Sequence, residues 1–319
     1  MEEGLRVSVV IPAYRSATIL PNLIQRLQDT FRAEEIDYEI IIVNDCSPDD
    51  GATWECIQRL TSEHTGIIGI DLQKNAGQFN ATMCGMEQAK GDLIITMDDD
   101  LQHAPEAVPK MLQPILSGDA DCVMALFPSK RHSLLRNLGS LLVRSTYRIF
   151  HSLPRGIRMS SFRCISSDVA AHVIRHRTRS PVLGAILIKS SRRIVNVEVE
   201  HHPRVSGTSG YGIGRLVKAT LDNIFLATTL PLRIFTYIGI IISTISILGS
   251  AYYATQFALN GTAAPGFTTL VLLQLFLIGI TSIGLGLMGE YIDRIIDEVD
   301  HRPRWHVRQK VESDGLEDY

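Results

Sequence analysis

The segment Asp92-Leu-Ile-Ile-Thr-Met97, followed directly by Asp98-Asp-Asp-Leu-Gln102, decides the fold class. Its apolar core has no alternating polar positions, which predicts a strand buried on both faces. Such strands are typical of a parallel sheet covered by helices on both sides. The acidic residues then mark the carboxyl end of that strand.

The first 210 residues repeat this arrangement. Strands are predicted at Val7–Ile11, Glu39–Val43, Ile67–Leu72, Asp92–Met97, Cys122–Leu126 and Ile194–Val199. Helices are predicted between them, at about Thr18–Phe31, Ala52–Ser62, Gly77–Ala89, Pro105–Leu116 and Leu134–Phe150. This alternation predicts an α/β domain with a mostly parallel sheet, which binds ligands at the carboxyl ends of its strands.

Polar segments follow four of the predicted strands. They are Pro12-Ala-Tyr14, Asn44-Asp-Cys46, Asn75-Ala-Gly-Gln78 and Asp98-Asp-Asp-Leu-Gln102. Each segment alone is a weak signal, because turns are commonly polar. Four of them in order at one edge of a sheet predict a binding site.

The acidic triplet has a specific chemical interpretation. On an extended segment alternate side chains share a face, so Asp98 and Asp100 should converge with Gln102 while Asp99 points away. Carboxylates this close repel each other unless a divalent cation lies among them, and carboxylate and phosphate oxygens suit Mg²⁺ or Mn²⁺. A metal that neutralises a departing diphosphate is what sugar transfer from a nucleotide sugar requires.

Composition excludes several other classes of protein. The 319 residues carry 31 Lys and Arg against 34 Asp and Glu, a net charge of −3, so no basic field is present to bind nucleic acid. The five cysteines are widely spaced and form no CxxC pair, which predicts reduced thiols rather than a disulfide or zinc framework.

A membrane hairpin is predicted near the C-terminus. No charged residue and no histidine occurs from Ile234 to Gly289, where two apolar segments, about 234–259 and 267–288, flank a short loop. Each segment is close to the ~20 residues that cross a bilayer as a helix. Basic residues flank the pair but are absent from the loop, which predicts an integral membrane protein with both termini in the cytoplasm. The alternative is a pair of buried helices in a soluble core.

The regions beside the hairpin have separate predictions. Residues 211–233 have the pattern of an amphipathic helix, lying either in the membrane interface or on the cytosolic domain. Residues 290–319 are predicted to be a cytosolic tail, disordered after Val311. The acidic N-terminus is not a signal peptide, so residues 1–210 should stay cytosolic. The predicted helices could also associate with copies of themselves through Gly279, Gly284 and Gly286.

Together these motifs resemble the family 2 glycosyltransferases. Within them, the chain resembles the polyprenyl-phosphate glycosyltransferases, which include dolichol-phosphate mannose synthase and bacterial undecaprenyl-phosphate sugar transferases. The segments that carry the resemblance are Val9-Val-Ile-Pro-Ala-Tyr14, Val43-Asn-Asp45, Asn75-Ala-Gly77, Met97-Asp-Asp-Asp-Leu-Gln-His-Ala-Pro-Glu106, Arg204-Val-Ser-Gly-Thr-Ser-Gly-Tyr211, Gly289-Glu-Tyr-Ile-Asp-Arg294 and Arg302-Pro303.

The resemblance implies a GT-A fold, which is Rossmann-like with a mostly parallel sheet, and a role for each motif. The residues expected at the nucleotide are Pro12, Tyr14, Asp45, Asn75, Gly77, Gln78, Asp98 and Asp99. Those expected at the metal and diphosphate are Asp98, Asp100 and Gln102. Those expected at the acceptor phosphate are Arg136, Arg204, Ser209 and Tyr211. Asp98, Asp100 and Arg204 are expected to be catalytic.

Two positions depart from the family pattern. A lysine commonly precedes the tyrosine of the acceptor motif, whereas Gly210 stands here. Many relatives have a Gly-Asp-Phe-Arg segment whose acid is a proposed base, whereas this chain has Ser160-Ser161-Phe-Arg163. A phosphate monoester has a second pKa near 6, so a polyprenyl phosphate is already nucleophilic at neutral pH without a base. The missing carboxylate therefore favours a lipid-phosphate acceptor, although Asp99 is an alternative base.

The predicted reaction is inverting transfer of a sugar from a nucleoside-diphosphate sugar, with UDP favoured, to a polyprenyl phosphate. A diacylglycerol glycosyltransferase and a non-catalytic membrane scaffold remain as alternatives. A processive polysaccharide synthase is disfavoured because Arg304-Trp305 lacks the rest of the Gln-x-x-Arg-Trp motif.

Overall fold

A computed structural model describes residues 4–127, 156–176, 183–200, 266–299, 303–313 and 315–318, with scattered positions between 235 and 259. The predicted helix Leu134–Phe150 and the predicted amphipathic helix at 211–233 lie outside these residues. So do the four residues expected at the acceptor phosphate, namely Arg136, Arg204, Ser209 and Tyr211.

Strands and helices alternate along the described chain. The strands are β1 (Arg6–Ala13), β2 (Asp37–Asn44), β3 (Ile67–Leu72), β4 (Leu93–Thr96), β5 (Cys122–Leu126), β6 (Arg163–Ser166), β7 (Ile194–Glu198), β8 (Val307–Glu312) and β9 (Gly315–Asp318). The helices are α1 (Leu20–Ala33), α2 (Ala52–Glu63), α3 (Gln78–Gln88), α4 (Val108–Leu116), α5 (Ser167–Ile174), α6 (Leu183–Ser190) and α7 (Phe267–Val299). A short 3-10 turn, Pro105–Ala107, leads into α4.

The described strands form one sheet in the order β7-β5-β6-β4-β1-β2-β3-β8-β9. The four central strands, β4, β1, β2 and β3, run parallel to one another. On one flank β6 is antiparallel to both β4 and β5, and on the other β8 is antiparallel to β3. The parallel centre brings four carboxyl ends to the same edge.

Alternate residues of the central strands bury opposite faces of the sheet. On β2, Ile40 and Ile42 pack in a core with α1, α2 and α4, whereas Ile41 and Val43 pack in a second core with α3, α5 and α6. All four side chains have no exposed surface. The continuous apolar run from Ile40 to Val43 is therefore explained by helices on both faces, as predicted.

The six predicted strands all occur in the structure, within two residues at either end. The four predicted helices in the described part occur as well, and α4 begins three residues later than predicted because Pro105–Ala107 is a 3-10 turn. Five further elements of the domain, β6, α5, α6, β8 and β9, were not predicted. Short β6 contributes Cys164 to the first core and Ile165 to the second, and α5 and α6 pack in the second core.

The prediction of a disordered end after Val311 is wrong. Residues after the hydrophobic segments form β8 and β9, and β8 pairs with β3 from Ile68 to Leu72. The physical reason is the free edge of β3, which offers unpaired backbone groups to an extended segment. Residues 301–319 accordingly belong to the same compact unit as residues 1–220.

The second compact unit, residues 221–300, contains α7. Large apolar side chains of α7 are exposed, among them Leu270, Ile283 and Leu285. Among the described residues, no helix meets the combined length and hydropathy that crossing a bilayer requires. The membrane hairpin thus stays a prediction.

Gly284 of α7 has a neighbour inside its own unit. A side chain added at Gly284 would collide with the ring of Phe235, whereas Gly279 and Gly286 have no such neighbour among the described residues. Association of copies through these glycines stays a prediction.

Candidate active site

The carboxyl ends of the four central strands open into one cavity of about 760 Å³. Its lining includes all eight nucleotide residues expected from the sequence, namely Pro12, Tyr14, Asp45, Asn75, Gly77, Gln78, Asp98 and Asp99, together with Asp100. The opposite wall contains Met159, Ser160, Ser161, Arg163 and Gly184. The parallel sheet thus collects segments that are far apart in sequence, as such sheets do at their ligand sites.

Asp45 fixes the loop between β3 and α3. Its two carboxylate oxygens accept hydrogen bonds from the backbone N–H groups of Ala76 (2.7 Å) and Gly77 (3.0 Å). The Asn75 side chain donates to the Asp45 carbonyl oxygen at 2.9 Å. Burial raises the pKa of the Asp45 carboxyl, and the two backbone bonds partly oppose that shift. Asp45 therefore positions a cavity wall as well as lining it.

Gly77 allows this loop its shape. Its φ of 86° and ψ of 150° lie in a region that only glycine adopts readily. No atom of the described residues lies within 4 Å of a side chain added there, so glycine is required here by the backbone angles rather than by a close neighbour. The turn lets α3 begin at Gln78, on the rim of the cavity.

The Asp98 carboxylate is hydrogen-bonded by two different segments of the cavity lining. Its carboxylate accepts hydrogen bonds from the Gln78 amide and from the Ser161 hydroxyl, both at 2.6 Å. Its backbone N–H donates to Nδ1 of His103 at 3.1 Å. His103 is itself stacked against the rings of Phe127 and Phe162. These contacts hold the carboxylate in one orientation.

Asp99 faces the first strand. Its carboxylate accepts hydrogen bonds from the backbone N–H of Tyr14 (3.0 Å) and from the Ser16 hydroxyl. Burial raises the pKa of Asp99; the two hydrogen bonds oppose this shift, whereas the charges of Asp98 and Asp100 reinforce it. Asp99 therefore joins the loop after β1 to the loop after β4.

The predicted alternation along the acidic segment is only partly right. Asp99 does turn toward different partners from Asp98, yet all three aspartates line the cavity and Gln102 does not. β4 ends at Thr96, Leu101 has a left-handed φ of 59°, and the Gln102 N–H donates to Asp100 at 3.1 Å. The segment is a turn, so the two-residue period of a strand does not apply to it.

The acidic residues suit a divalent cation shared with a phosphate. In the described part of the chain, no group of three or more His, Cys, Asp or Glu side chains could hold a metal by itself. Mg²⁺ in nucleotide sites commonly takes one or two carboxylates plus phosphate oxygens. Asp98 and Asp100 meet that smaller requirement, since both line the cavity and a carboxylate that accepts hydrogen bonds keeps further lone pairs.

The hydrogen bond from Ser161 to Asp98 is not predicted by the sequence. Ser161 lies in the segment that carries an acid in many relatives, but the strand that follows it, β6, was not predicted. β6 pairs with β4, and this brings the preceding turn beside Asp98. The signal available in the sequence was the Ser-Phe-Arg segment itself, without its spatial partner.

An α/β domain with an acidic cavity at the carboxyl ends of parallel strands is the architecture of a nucleotide-binding enzyme. Residues 8–171 match the sequence profile of glycosyl transferase family 2. The chain is 32% identical over 313 residues to an undecaprenyl-phosphate 4-deoxy-4-formamido-L-arabinose transferase of Aeromonas hydrophila, covering 96% of this chain and 94% of that protein. The Pectobacterium atrosepticum protein of the same name is 33% identical, with 96% and 93% covered.

The described fold also resembles a solved structure. Glucosyl-3-phosphoglycerate synthase from Mycobacterium tuberculosis, crystallised with Mn²⁺, UDP and phosphoglyceric acid, matches with a TM-score of 0.50 and 16% identity over 70% of this chain and 77% of that one. This likeness supports the GT-A-like fold. The chain belongs to glycosyltransferase family 2 and, within it, to the polyprenyl-phosphate glycosyltransferases.

Proposed function

We propose that this enzyme transfers a sugar from a nucleoside-diphosphate sugar to a polyprenyl phosphate, with inversion at the anomeric carbon, at the cytoplasmic face of a membrane. The observation that carries the proposal is the meeting of four strand-end segments, two of which supply carboxylates, around one cavity. Its volume of about 760 Å³ lies within the range of small-molecule sites.

The donor is proposed to be a UDP-sugar whose diphosphate lies beside Asp98 and Asp100. These two carboxylates would hold Mg²⁺ or Mn²⁺, and the ion would neutralise the charge that develops on the leaving diphosphate. Gln102, which lies outside the cavity lining, is left out of the proposed ligand set. The nucleoside would lie against Pro12, Tyr14 and the loop that Asp45 holds.

The acceptor is proposed to attack without a protein base. At neutral pH a phosphate monoester is largely a dianion, and its oxygen is already nucleophilic. The residue at position 161 supports this proposal. Many relatives have a carboxylate there, whereas this chain has a serine whose hydroxyl donates to Asp98. Catalysis then rests on positioning the reactants and on stabilising the diphosphate. Arg136, Arg204, Ser209 and Tyr211 are proposed to hold the acceptor phosphate.

The membrane topology of the sequence analysis is part of the proposal. The segments 234–259 and 267–288 would form a hairpin in the membrane, with 1–210 and both termini in the cytoplasm. The exposed apolar side chains of α7 and the relatives' undecaprenyl-phosphate substrate support it. Labelling single introduced cysteines in sealed cells with an impermeant reagent should modify only the loop at 260–266.

The deciding experiment is a panel of labelled nucleotide sugars. Each is incubated with purified enzyme, Mg²⁺ and either polyprenyl phosphate or diacylglycerol, and label is counted in the organic phase. The panel includes UDP-4-deoxy-4-formamido-L-arabinose because curated relatives are named for that sugar. We expect transfer to polyprenyl phosphate alone; transfer to diacylglycerol alone would replace this proposal with the neutral-lipid alternative.

The metal proposal is tested in the same assay. EDTA and Asp100→Asn should each abolish transfer, since both remove the ion from the diphosphate. Asp119→Asn is the matched control, because Asp119 is an exposed acid whose carboxylate accepts a bond from the Ser117 hydroxyl. Full activity in EDTA would refute metal dependence.

A further inference from the structure

A buried carboxylate beside the candidate site is bonded by a residue from strand β8. Asp71, at the end of β3, has no exposed surface. Arg308 of β8 donates from Nε to Asp71 Oδ2 at 2.6 Å, and a second guanidinium nitrogen contacts the same oxygen. In the described part of the chain, Arg308 is the cation that balances this charge.

The same carboxylate continues inward as a chain of hydrogen bonds. Asp71 Oδ1 accepts from the Asn44 amide at 2.7 Å, and Asn44 Oδ1 accepts from the Ser47 hydroxyl at 2.6 Å. The Ser47 oxygen then accepts from the backbone N–H of Arg15 at 3.0 Å. Each group in this series has a consistent donor or acceptor role, so the Asn44 amide is held in a single orientation.

This series of hydrogen bonds ends on the loops that line the cavity. Asn44 directly precedes Asp45, and Arg15 directly follows Tyr14; both Asp45 and Tyr14 line the cavity. The loops are locally strained, since Arg15 and Cys46 have left-handed φ values of 59° and 50°. Non-glycine residues keep such angles only where surrounding contacts enforce them. The hydrogen bonds from Ser47 and Asn44 are contacts of that kind.

We propose that Arg308 is a positioning residue for the donor pocket, which it controls through Asp71, Asn44 and Ser47. The segment that follows the hydrophobic region thereby becomes part of the nucleotide site although it does not line it. This inference rests on the proposed function, because it assumes that the cavity binds a nucleotide.

The chemistry of the pair explains why an arginine stands at position 308. A carboxylate removed from water needs both a counter-charge and hydrogen bonds. The guanidinium supplies two donors in a rigid plane, which a lysine cannot reproduce. Without Arg308, the bond that the described residues still give the buried Asp71 carboxylate is the one from Asn44, so the carboxylate and the loop residues bonded through it can shift to reach water.

The experiment measures binding of UDP in the presence of Mg²⁺ to the full-length enzyme in detergent, by equilibrium dialysis. Arg308→Gln should weaken UDP binding about tenfold, because a charge-assisted bond is lost but the arginine side chain is half-exposed and water can replace part of it. Arg308→Lys should fall between Arg308→Gln and the wild type. The KM for polyprenyl phosphate should stay unchanged in both variants.

Two further variants distinguish a positioning role of Arg308 from a nonspecific disruption of the structure. Lys310→Gln removes a neighbouring cation of the same strand, which forms an ion pair with Glu312, and should leave UDP binding intact. Arg308→Gln combined with Asp71→Asn removes both charges, and should bind UDP more tightly than Arg308→Gln alone. If Arg308→Gln does not fold, as judged by thermal unfolding, Arg308→Lys and the double variant carry the test.

The outcomes distinguish the two proposals. A wild-type enzyme that binds none of UDP, GDP and CDP refutes the proposed function. Wild-type binding with unchanged affinity in Arg308→Gln, or an equal loss in Lys310→Gln, overturns the positioning role alone. A double variant no better than Arg308→Gln would show that the unpaired Asp71 charge is not the cause.

Discussion

Replacing Ser161 with aspartate would restore the acid that many relatives carry, and we expect it to impair this enzyme. The backbone of Ser161 is fixed, because its carbonyl oxygen accepts from the Thr96 hydroxyl at 2.9 Å and from Arg163 Nε at 3.3 Å. A carboxylate at position 161 would therefore stand beside that of Asp98, where the Ser161 hydroxyl now donates at 2.6 Å.

The size of the effect follows from the spacing. Two like charges ~4 Å apart at an effective dielectric constant of ~20 repel by about 4 kcal/mol. The side chain of Asp98 is 25% exposed, so solvent screens part of this repulsion. We expect kcat/KM to fall roughly 10- to 1,000-fold, at tenfold for each ~1.4 kcal/mol. Ser161→Ala, which only removes one hydrogen bond, should cost about tenfold.

The assay is transfer of labelled sugar to polyprenyl phosphate at saturating Mg²⁺ and neutral pH. Ser160→Ala is the matched control, since the Ser160 hydroxyl oxygen accepts from the Phe162 N–H and does not contact Asp98. An Ser161→Asp enzyme with wild-type or higher kcat would show that a carboxylate is useful here. The argument that the acceptor needs no base would then be wrong.

Three further substitutions test the surrounding structure by chemical denaturation. Asp45→Asn turns an NH₂ group toward the N–H of Ala76 or Gly77, so the unfolding free energy should fall by about 1–3 kcal/mol. The loss should lie toward the lower end, because the neutral amide does not carry the cost of burying a charge that raises the pKa of Asp45. Gly77→Ala should cost about 1–2 kcal/mol through its positive φ, and an unchanged midpoint would contradict this. Arg26→Met removes the paired bonds to Glu106 at 2.8 and 2.7 Å, but at this partly exposed position should cost less than about 1 kcal/mol.

The central sheet was predictable because its strands are mostly apolar and lack the regular alternation with polar residues of a half-exposed strand. The strand ends then followed from the polar segments, and with them the cavity lining from Pro12 to Asp100. β8 was not predictable in the same way, because Val307-Arg-Gln-Lys-Val-Glu312 is mostly polar and has the composition of a disordered terminal segment. Its strand exists because β3 offers a free edge, and that is a property of the assembled sheet.

The acidic segment shows a second limit of sequence reasoning. Periodicity predicts side-chain direction only while the backbone stays regular, and here the strand ends two residues before Asp98. Beyond Thr96 the directions depend on partners from other segments, which are Ser161 for Asp98 and the Tyr14 N–H for Asp99. No local pattern encodes those partners.

The geometry of the cavity therefore depends on bonds between segments that are remote in sequence. Asp99 joins the loops after β4 and β1, Ser161 joins the segment before β6 to Asp98, and Arg308 joins β8 to the loop after β2 through Asp71. Catalysis by positioning requires reacting groups held within fractions of an ångström, which short loops alone do not provide. Substitutions at such joining residues should change kcat/KM more than they change unfolding free energy, because they loosen one loop and leave both cores intact.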